Sequence, residues 1–501
     1  MSGRRLALLV AACAVVVHLG ALANRFAMDD IYIIVLNPLV QAPAPPWEVF
    51  ASPYWPPNFG GQLYRPLAVL TYTLDRMIAS PTWFHLVNLG WHGAASALVA
   101  LLVAAWAGSA AGLVAGLLFA VHPVHVEAVA NVIGRAELMA AAFTCVAVWA
   151  ALDARRAPAW SAVALALGLL SKENAAVAPA LVAWAWLLGV GRPDRRRAAL
   201  LAGGWLVAGV GYVIARTLVL APYGRLEGLA PVFVGLGPGE IRLTAVAALS
   251  DVARLLLFPL TLRADYSPAE RTAVTDVLDP RLAAGVLVTV LVVGLIAAAW
   301  RRGRRIEALG LGWAVIAYAP VSNLIVPIGV LVAERTLYLP SAGVVVAVAV
   351  WAVGALPRRV LIAGTAALVV AGAARSAWRV PVWRDDATLT ESILADSPRS
   401  YRGPARAGGL LQSAGRPERA LAAYLQAGAI YDRDAQVWLG AADAALTLGR
   451  RAQADSLLAR ADAACARCAG FYRFQAAAAR ARGDTATARV LLERAATWGA
   501  R

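Results

Sequence analysis

The sequence contains a single lysine, Lys172, although lysine and arginine together number 46. Charged residues are also scarce, at 15% of the 501 residues, while hydrophobic residues make up 60%. A soluble core cannot bury that much apolar surface, so the composition excludes a soluble globular protein. It indicates an all-α chain that is solvated largely by lipid, because only helices and closed barrels satisfy their backbone groups inside a membrane.

The signatures of several common enzyme classes are missing. There is no Walker loop, no G-x-G-x-x-G after a strand and no G-x-S-x-G turn, which excludes the usual nucleotide-binding and serine-hydrolase sites. No H-E-x-x-H occurs, and Cys465 and Cys468 form a lone C-x-x-C without a second pair. The sequence therefore predicts no metal site and no bound cofactor, and a local disulfide at that C-x-x-C stays an alternative on an oxidising side.

The net charge of +16 comes largely from arginines in short loops and from the C-terminal helices, not from one continuous patch. Short basic loops mark the cytoplasmic side of a membrane protein. This distribution argues against nucleic acid as a partner. The basic loops are 155–156, 192–197, 301–305 and 358–359.

Eleven apolar stretches are long enough, or nearly so, to cross a bilayer, which needs about 20 residues. With the N-terminus inside, the basic loops are all cytoplasmic if the ambiguous segment 242–262 is re-entrant or interfacial. The C-terminus is then outside the cytoplasm. The predicted spans are 6–23, 84–106, 109–122, 137–153, 158–170, 174–190, 198–220, 282–300, 307–326, 338–356 and 359–375.

Two regions outside the spans have a character of their own. Residues 24–83 form a first outer loop rich in Pro and Trp, in which prolines prevent a long helix, so we expect short helices lying along the membrane. In the tail, glycines 415, 449 and 483 are each 34 residues apart. That period is typical of tetratricopeptide repeats. The predicted domains are a transmembrane domain 1–376, a linker or partial repeat 377–400, and a repeat domain 401–501 of about three units.

Charged residues recur at the outer ends of the predicted spans, where charge is costly and usually functional. Asp29 and Asp30 follow the first span. One interpretation is a solvated helix-end pair; the other is a general base, whose pKa the second carboxylate can raise.

Lys172, in Ser171-Lys172-Glu173, is a compact cation suited to phosphate oxygens, whereas an ordinary ion pair with Glu173 is the alternative. Arg335 is predicted as a second phosphate ligand, with Glu334 as its orienter. Arg65 and Arg135 are lesser phosphate candidates, or interfacial anchors. The supporting site residues are Glu173, Glu334, His122, His125, Glu127, Glu137 and Tyr338.

The two histidines and Glu127 offer metal-ligand chemistry, but Pro123 interrupts their spacing, so hydrogen bonding around a sugar or phosphate is the preferred role. His85, Asn88 and His92 share one helix face and are expected to join helices. An enzyme on the outer face has no ATP or nucleotide sugar, so its donor must come from the membrane. A lipid-linked phosphosugar fits a rim of cationic side chains.

The motifs together resemble the transmembrane and tetratricopeptide-repeat-containing family, which is similar to the protein O-mannosyltransferases. They are Met28-Asp29-Asp30, Tyr64-Arg65-Pro66-Leu67, Phe84-His85-Leu86-Val87-Asn88, His122-Pro-Val-His125-Val-Glu127, Gly134-Arg135-Ala136-Glu137, Ser171-Lys172-Glu173 and Glu334-Arg335-Thr-Leu-Tyr338-Leu-Pro-Ser341. The resemblance implies a GT-C fold and transfer of a hexose, mannose in that family, from a dolichyl or polyprenyl phosphate to a Ser or Thr hydroxyl. It also implies that one of the two aspartates is the base, and that Lys172 and Arg335 hold the lipid phosphate, with Arg65 or Arg135 assisting.

The chain departs from the family in having about three repeats. Its Ala- and Arg-rich composition indicates a bacterial inner-membrane protein; a eukaryotic member would lie in the endoplasmic reticulum. In either location the active site and repeats are expected outside the cytoplasm. The partners are a polyprenyl phosphate sugar, a protein or glycan acceptor held by the repeats, and membrane lipid. The alternatives are an O-antigen-type ligase or polymerase with a lipid diphosphate donor, a transporter, and a membrane-anchored repeat scaffold.

Overall fold

The computed structural model describes residues 1–59, 61–78, 80–223, 229–465 and 469–499, and over these residues it has helices and no strand. The α-helices are α1 (Gly3–Val17), α2 (Pro38–Gln41), α3 (Pro46–Phe50), α4 (Pro66–Arg76), α5 (Pro81–Ala120), α6 (Val126–Ala130), α7 (Arg135–Leu152), α8 (Pro158–Ser171), α9 (Ala178–Leu187), α10 (Arg195–Leu220), α11 (Pro238–Leu257), α12 (Pro280–Arg301), α13 (Arg305–Tyr318), α14 (Tyr338–Ala355), α15 (Arg358–Arg379), α16 (Asp386–Asp396), α17 (Arg402–Ser413), α18 (Pro417–Ile430), α19 (Ala435–Thr447), α20 (Arg451–Ala463), α21 (Ala469–Ala481) and α22 (Thr485–Gly499). The all-α fold class predicted from the sequence is confirmed.

The 40-residue helix α5 is a hairpin of two arms. Gly108 interrupts it with φ 86° and ψ 165°, a conformation that glycine adopts without steric cost. A side chain at Gly112 or Gly116 would collide with Ala100 or Ala104, so the second arm folds back on the first. The sequence prediction of two stretches, 84–106 and 109–122, matches these arms.

Six helices within the described residues are long and apolar enough to cross a membrane, and this is a multi-pass membrane protein. A seventh apolar helix, Pro158–Ser171, is shorter. The count of eleven spans remains a prediction. The six are Pro81–Ala120, Val132–Leu152, Arg195–Tyr223, Pro280–Arg301, Glu334–Ala355 and Arg358–Trp383.

The membrane helices differ in how much of their surface other helices cover. Helices α7 and α14 are largely buried and form the centre of the bundle, whereas few residues of α10, α12 and α15 are fully buried, and one side of α10 packs against α8. Helix α11, which includes most of the ambiguous segment 242–262, packs along α12, where Gly285 contacts the backbone of Val246. Its relation to the membrane remains a prediction.

The basic loops meet at one end of the helices. Arg197 donates to the backbone carbonyls of Asp153 (2.8 Å) and Arg156 (2.6 Å), and Arg305 lies beside Gly189. At the opposite ends of α1 and α15, the Asn24 amide donates to the Val380 carbonyl. The first loop, which carries Asp29 and Asp30, therefore begins on the end of the bundle away from these basic loops.

The first loop consists of short helices, as predicted, with prolines at the starts of α2, α3 and α4. Proline suits the first turn of a helix because the missing N–H has no helical partner there. Tyr64 donates to the Phe50 carbonyl (3.0 Å), which ties α3 to the chain before α4.

The C-terminal part consists of three antiparallel helix pairs, α17–α18, α19–α20 and α21–α22, preceded by α16. The glycines at the turns, Gly415, Gly449 and Gly483, have φ of 68°, 72° and 83°, which explains why each turn needs glycine. The pairs have the predicted 34-residue offset, and their assignment as tetratricopeptide repeats remains a proposal. Cys468 lies outside the described residues.

An aromatic junction joins the first loop to the last helix pair. Phe474 on α21 packs edge-on against Tyr32 (ring centroids 5.5 Å apart) and Phe59 (5.1 Å), and Tyr32 also contacts Trp55. The C-terminal helices therefore lie directly over the part of the first loop that carries Asp29 and Asp30.

Candidate active site

Asp29 and Asp30 have different surroundings. Asp30 is buried, and its carboxylate accepts from the backbone N–H groups of Ala27 (3.2 Å), Val132 (3.3 Å) and Ile133 (2.9 Å). Burial raises the pKa of Asp30 to about 7, although these hydrogen bonds oppose the shift. Asp29 is half-buried, and within the described part of the chain no hydrogen bond or ion pair holds its carboxylate. Asp30 thus fastens the loop to the chain before α7, and Asp29 presents the available carboxylate.

A residue of the C-terminal region, Asp386, holds the backbone directly before Asp29. Met28 has φ 58°, a left-handed conformation that is rare for residues other than glycine. Its N–H donates to Asp386 Oδ1 (2.7 Å), and Asp386 in turn pairs with Arg406 (2.5 Å). These contacts stabilise the turn that orients Asp29.

Arg335 is oriented by Glu127, 208 residues earlier in the chain. Its N–H donates to Glu127 Oε2 (2.9 Å) and its guanidinium to Oε1 (3.1 Å). The charges of Asp29 and Glu137 also act on Arg335. The structure therefore brings Asp29 and Arg335 into one electrostatic cluster.

Glu334 does not orient Arg335, and the sequence prediction was wrong on this point. Its carboxylate accepts from the Arg263 N–H (2.5 Å) and the Tyr266 hydroxyl (2.9 Å). Residues 334–337 form a 3₁₀ turn, in which neighbouring side chains point in directions about 120° apart. Adjacent residues on such a turn serve different neighbours.

Lys172 forms a buried ion pair with Glu137, whose other oxygen accepts from the Asn174 amide (3.4 Å). Burial lowers the pKa of Lys172, and the carboxylate of Glu137 opposes this effect. The charges of Arg65 and Arg335 also reach Lys172. The ion-pair partner of Lys172 is therefore Glu137. It is not the neighbouring Glu173, which the sequence offered as the alternative.

Arg65 makes a bidentate pair with Glu173, with 3.0 Å from Nε to Oε2 and 2.5 Å from Nη2 to Oε1. Its guanidinium also lies over the Tyr54 ring, 5.0 Å from the centroid. Burial by itself would raise the pKa of Glu173, but the charge and hydrogen bonds of Arg65 outweigh it and lower this pKa to about 2. Glu173 is the most exposed member of the three pairs, with 41% of its side chain accessible.

We call this set the charged cluster: Asp29, Arg65, Glu127, Glu137, Lys172, Glu173 and Arg335. Its three cations each pair with one carboxylate, and the seven members come from six separate points along the chain. Charge-assisted donors in a partly water-excluded site are the groups that can hold a phosphate. Asp29 adds a carboxylate that can accept a proton.

Arg135 lies outside this arrangement, and its surroundings do not favour the predicted role as a phosphate ligand. It is fully buried and pairs with Asp75 (2.5 Å). Its remaining donors meet Asn88 Oδ1 (2.8 Å), Thr71 Oγ1 (3.1 Å) and the Phe84 carbonyl (2.9 Å). We call this set the Arg135 clamp; its donors are directed to protein acceptors, so Arg135 joins α4, α5 and α7 instead of binding a ligand.

The histidines also make their hydrogen bonds to protein groups. His122 Nε2 lies 3.0 Å from the Leu256 carbonyl oxygen, and His125 Nε2 lies 2.7 Å from Ser341 Oγ. Burial lowers the pKa of His122 to about 4, so the ring is neutral at pH 7. Tyr338 is fully buried and bonds to His92 Nδ1 (2.8 Å). These side chains join helices, and the predicted contacts of His122, His125 and Tyr338 with a ligand are not supported by the geometry.

The described residues contain no group of three or more His, Cys, Asp or Glu side chains that could hold a metal ion. The helix-joining role predicted for His85, Asn88 and His92 agrees with their contacts: Asn88 donates to the Asn131 and Val132 carbonyls (both 3.1 Å).

Sequence reasoning missed three residues that support the site, Tyr54, Asn174 and Asp386, and also Asp75, the partner of Arg135 in the clamp. Asn174 carried a weak signal, because it directly follows Lys172-Glu173. Asp75 could have been noticed as the single carboxylate of a mostly apolar helix, α4. Asp386 lies 357 residues from Asp29 and gave no signal that could link the two.

No protein-family model matches the chain, and no solved structure matches it significantly. Among curated proteins, protein O-mannosyl-transferase TMTC4 of Homo sapiens is 29% identical over 458 residues, covering 78% of this chain and 62% of that protein. The mouse TMTC4 protein is 28% identical over 446 residues, covering 74% and 59%.

Protein O-mannosyl-transferase F38B6.6 of Caenorhabditis elegans is 27% identical over 354 residues, covering 68% of this chain and 50% of that protein. The chain thus spans about half to three-fifths of the length of the curated relatives it matches. The resemblance seen in the motifs is confirmed: over most of its length, this chain is a homologue of the TMTC protein O-mannosyl-transferases.

Proposed function

We propose that this protein transfers a hexose, mannose by analogy with its relatives, from a polyprenyl phosphate to a Ser or Thr hydroxyl of a protein. The proposal includes a GT-C membrane domain over residues 1–376 and a tetratricopeptide-repeat domain over residues 401–501 that presents the acceptor outside the cytoplasm. The observation that supports it best is the charged cluster, in which the available carboxylate of Asp29 acts on Arg335, and the charges of Arg335 and Arg65 in turn act on Lys172. The names of the homologues point to the same chemistry.

Asp29 is proposed as the general base. The acceptor hydroxyl gives its proton to the Asp29 carboxylate while its oxygen forms a bond to the anomeric carbon of the sugar. The bond from that carbon to the phosphate oxygen breaks, and the polyprenyl phosphate leaves with the electron pair. Attack from the face opposite the leaving group inverts the configuration.

Arg335, Lys172 and Arg65 are proposed to stabilise the leaving phosphate. Each already has a carboxylate partner, so a phosphate adds acceptor oxygens to groups that are held in place beforehand. Preorganised donors cost little reorganisation when negative charge develops on the leaving oxygen. No step requires a metal ion.

The face of the membrane follows from the two ends of the bundle. The basic loops lie at one end, and the first loop begins at the other. Since short basic loops are cytoplasmic, the charged cluster is proposed to face the extracytoplasmic side.

The direct experiment is to reconstitute the protein in vesicles with polyprenyl monophosphates that carry mannose, glucose or N-acetylglucosamine. The acceptor is a Ser/Thr-containing peptide, and donor consumption and glycopeptide mass are measured. Transfer from the mannosyl monophosphate that depends on Asp29 supports the proposal. Transfer from a diphosphate donor alone would instead favour an O-antigen-type ligase, and donor consumption by none of the lipids would contradict an enzymatic function.

A further inference from the structure

Arg216 lies one turn before the end of α10, a helix that packs against α8 on one side and contains few fully buried residues. Its apolar neighbours Val213, Ile214 and Leu218 are more than half exposed, as expected for a helix that faces lipid. Four residues correspond to about 6 Å along the helix, so the long side chain of Arg216 reaches the level of lipid headgroups. Within the described residues no carboxylate or carbonyl accepts from its guanidinium.

This cation lies close to the exposed edge of the charged cluster. Tyr212 shares a helix face with Arg216 by its i,i+4 spacing. The Tyr212 hydroxyl donates to the Tyr64 carbonyl (3.2 Å), directly before Arg65, and the two tyrosine rings lie 5.9 Å apart. Tyr212 is in the electrostatic field of Glu173, Arg65 and Arg216 together.

The most accessible side of the charged cluster lies toward the face of α10 that carries Tyr212 and Arg216. Glu173 is the most accessible of the paired side chains, and it lies beside this face of α10, whereas Glu127 and Glu137 are nearly fully buried. A phosphate that approaches Arg65 and Lys172 from the bilayer therefore passes the end of α10. A charged side chain on a lipid-facing helix is costly unless it serves a purpose or reaches the headgroup region.

We propose that Arg216 is a positioning residue at a lateral entrance, where it binds the phosphate of a lipid-linked sugar donor before that phosphate reaches Arg65 and Lys172. This inference rests on the proposed function, because it takes a lipid phosphate as the substrate headgroup. It assigns no role to Arg216 in the bond-making step.

The first experiment compares Arg216→Ala and Arg216→Lys with two mannosyl phosphate donors, one on a long polyprenyl chain in vesicles and one on a short, water-soluble prenyl chain. For the long-chain donor, Arg216→Ala should raise KM by about tenfold, the size of roughly one charge-assisted hydrogen bond, with kcat unchanged. Arg216→Lys should stay within about threefold of the wild type, because the charge is kept. The short-chain donor reaches the site from water, so its KM should not change.

Arg242→Ala is the matched control, since Arg242 is an arginine of α11 that donates to the Ile325 carbonyl. The inference is overturned if Arg216→Ala leaves the long-chain KM unchanged, if it affects both donors equally, or if Arg242→Ala has the same effect. A loss of kcat alone would also overturn it.

Binding of the lipid phosphate is measured separately from sugar transfer. A failure of the proposed function can then be distinguished from a failure of this inference. Native mass spectrometry of nanodisc-embedded protein reports how much polyprenyl phosphate, without a sugar, stays bound, with phosphatidylglycerol as the competing lipid. Arg216→Ala should retain several-fold less polyprenyl phosphate than the wild type, whether or not transfer is seen. Equal retention, or retention of phosphatidylglycerol in preference to the prenyl lipid, overturns the inference.

Discussion

Arg335 and Arg135 both pair with a carboxylate, yet their surroundings differ in the way that separates a binding group from a structural one. Arg335 has one acidic partner and keeps about a fifth of its side chain accessible. Arg135 is fully enclosed and meets four acceptors, two on α4 and two on α5. A buried charge alone therefore does not indicate a site; unused donor capacity on a side chain that stays partly accessible does.

Removing the proposed base from the charged cluster should lower the transferase activity without affecting the fold. Asp29→Asn is expected to lower transfer by about 10²–10⁴-fold, the usual contribution of a general base. The thermal unfolding midpoint should stay close to that of the wild type, because no described residue donates to this carboxylate. Glu48→Gln, which removes an exposed carboxylate from the same loop, is the control. Full activity of Asp29→Asn together with an inactive Asp30→Asn would assign the base to Asp30.

Substitutions in the Arg135 clamp should act mainly on the stability of the fold. Arg135→Met leaves Asp75 buried without its partner, which costs about 3–5 kcal/mol of folding free energy. Thermal unfolding in detergent measures the loss. The double variant Asp75→Asn/Arg135→Met should recover part of it, because no unpaired charge remains. A single variant as stable as the wild type would show that the clamp is not structural.

Lys172 and Glu137 test whether one pair can be both structural and functional. Lys172→Met should lower stability by a few kcal/mol, since Glu137 loses its counter-charge, and should abolish transfer. Glu137→Gln/Lys172→Met should return to within about 2 kcal/mol of the wild type but stay inactive, because the phosphate still lacks its cation. Restored transfer in the double variant would remove Lys172 from the proposed mechanism.

The last expected effect is a pH dependence of stability at Asp30. Its pKa in the folded protein, about 7, lies above the ordinary 3.8, so the folded state binds the proton more tightly. The contribution of Asp30 to stability is therefore full below about pH 4 and is lost as the pH rises through about 7. The unfolding midpoint of the wild type should fall relative to that of Asp30→Asn between these limits. A constant difference over this range would contradict the shift.

Patterns along the chain predicted much of the fold. Gly108 separates two apolar stretches, and three equally spaced glycines mark the C-terminal turns, because glycine is needed where the backbone has positive φ. The positions of the helices also followed from apolar length. How many of them cross the membrane did not follow, since α1, α9 and α13 are short and their depth depends on packing.

The ion-pair partners of the site residues could not be predicted from the sequence as well as the helices could. Lys172, Arg335 and Arg65 were selected because charge is rare in these segments, but their partners could not be read from sequence distance. Glu127 meets Arg335 across 208 residues, whereas the adjacent Glu334 faces Tyr266. Local order on a 3₁₀ turn carries no information about which tertiary neighbour each side chain meets.

The hydrogen bond from Met28 to Asp386 has a consequence for the architecture of the reaction centre. Asp386 belongs to α16, so the backbone that precedes the candidate base is completed by a segment located beyond the last membrane helix. The C-terminal helices are therefore not a detachable accessory: a truncation before residue 386 would keep every candidate side chain and still leave Asp29 unanchored. The protein should behave as one indivisible catalytic unit, in which grafting a different tail requires an acceptor for the Met28 N–H.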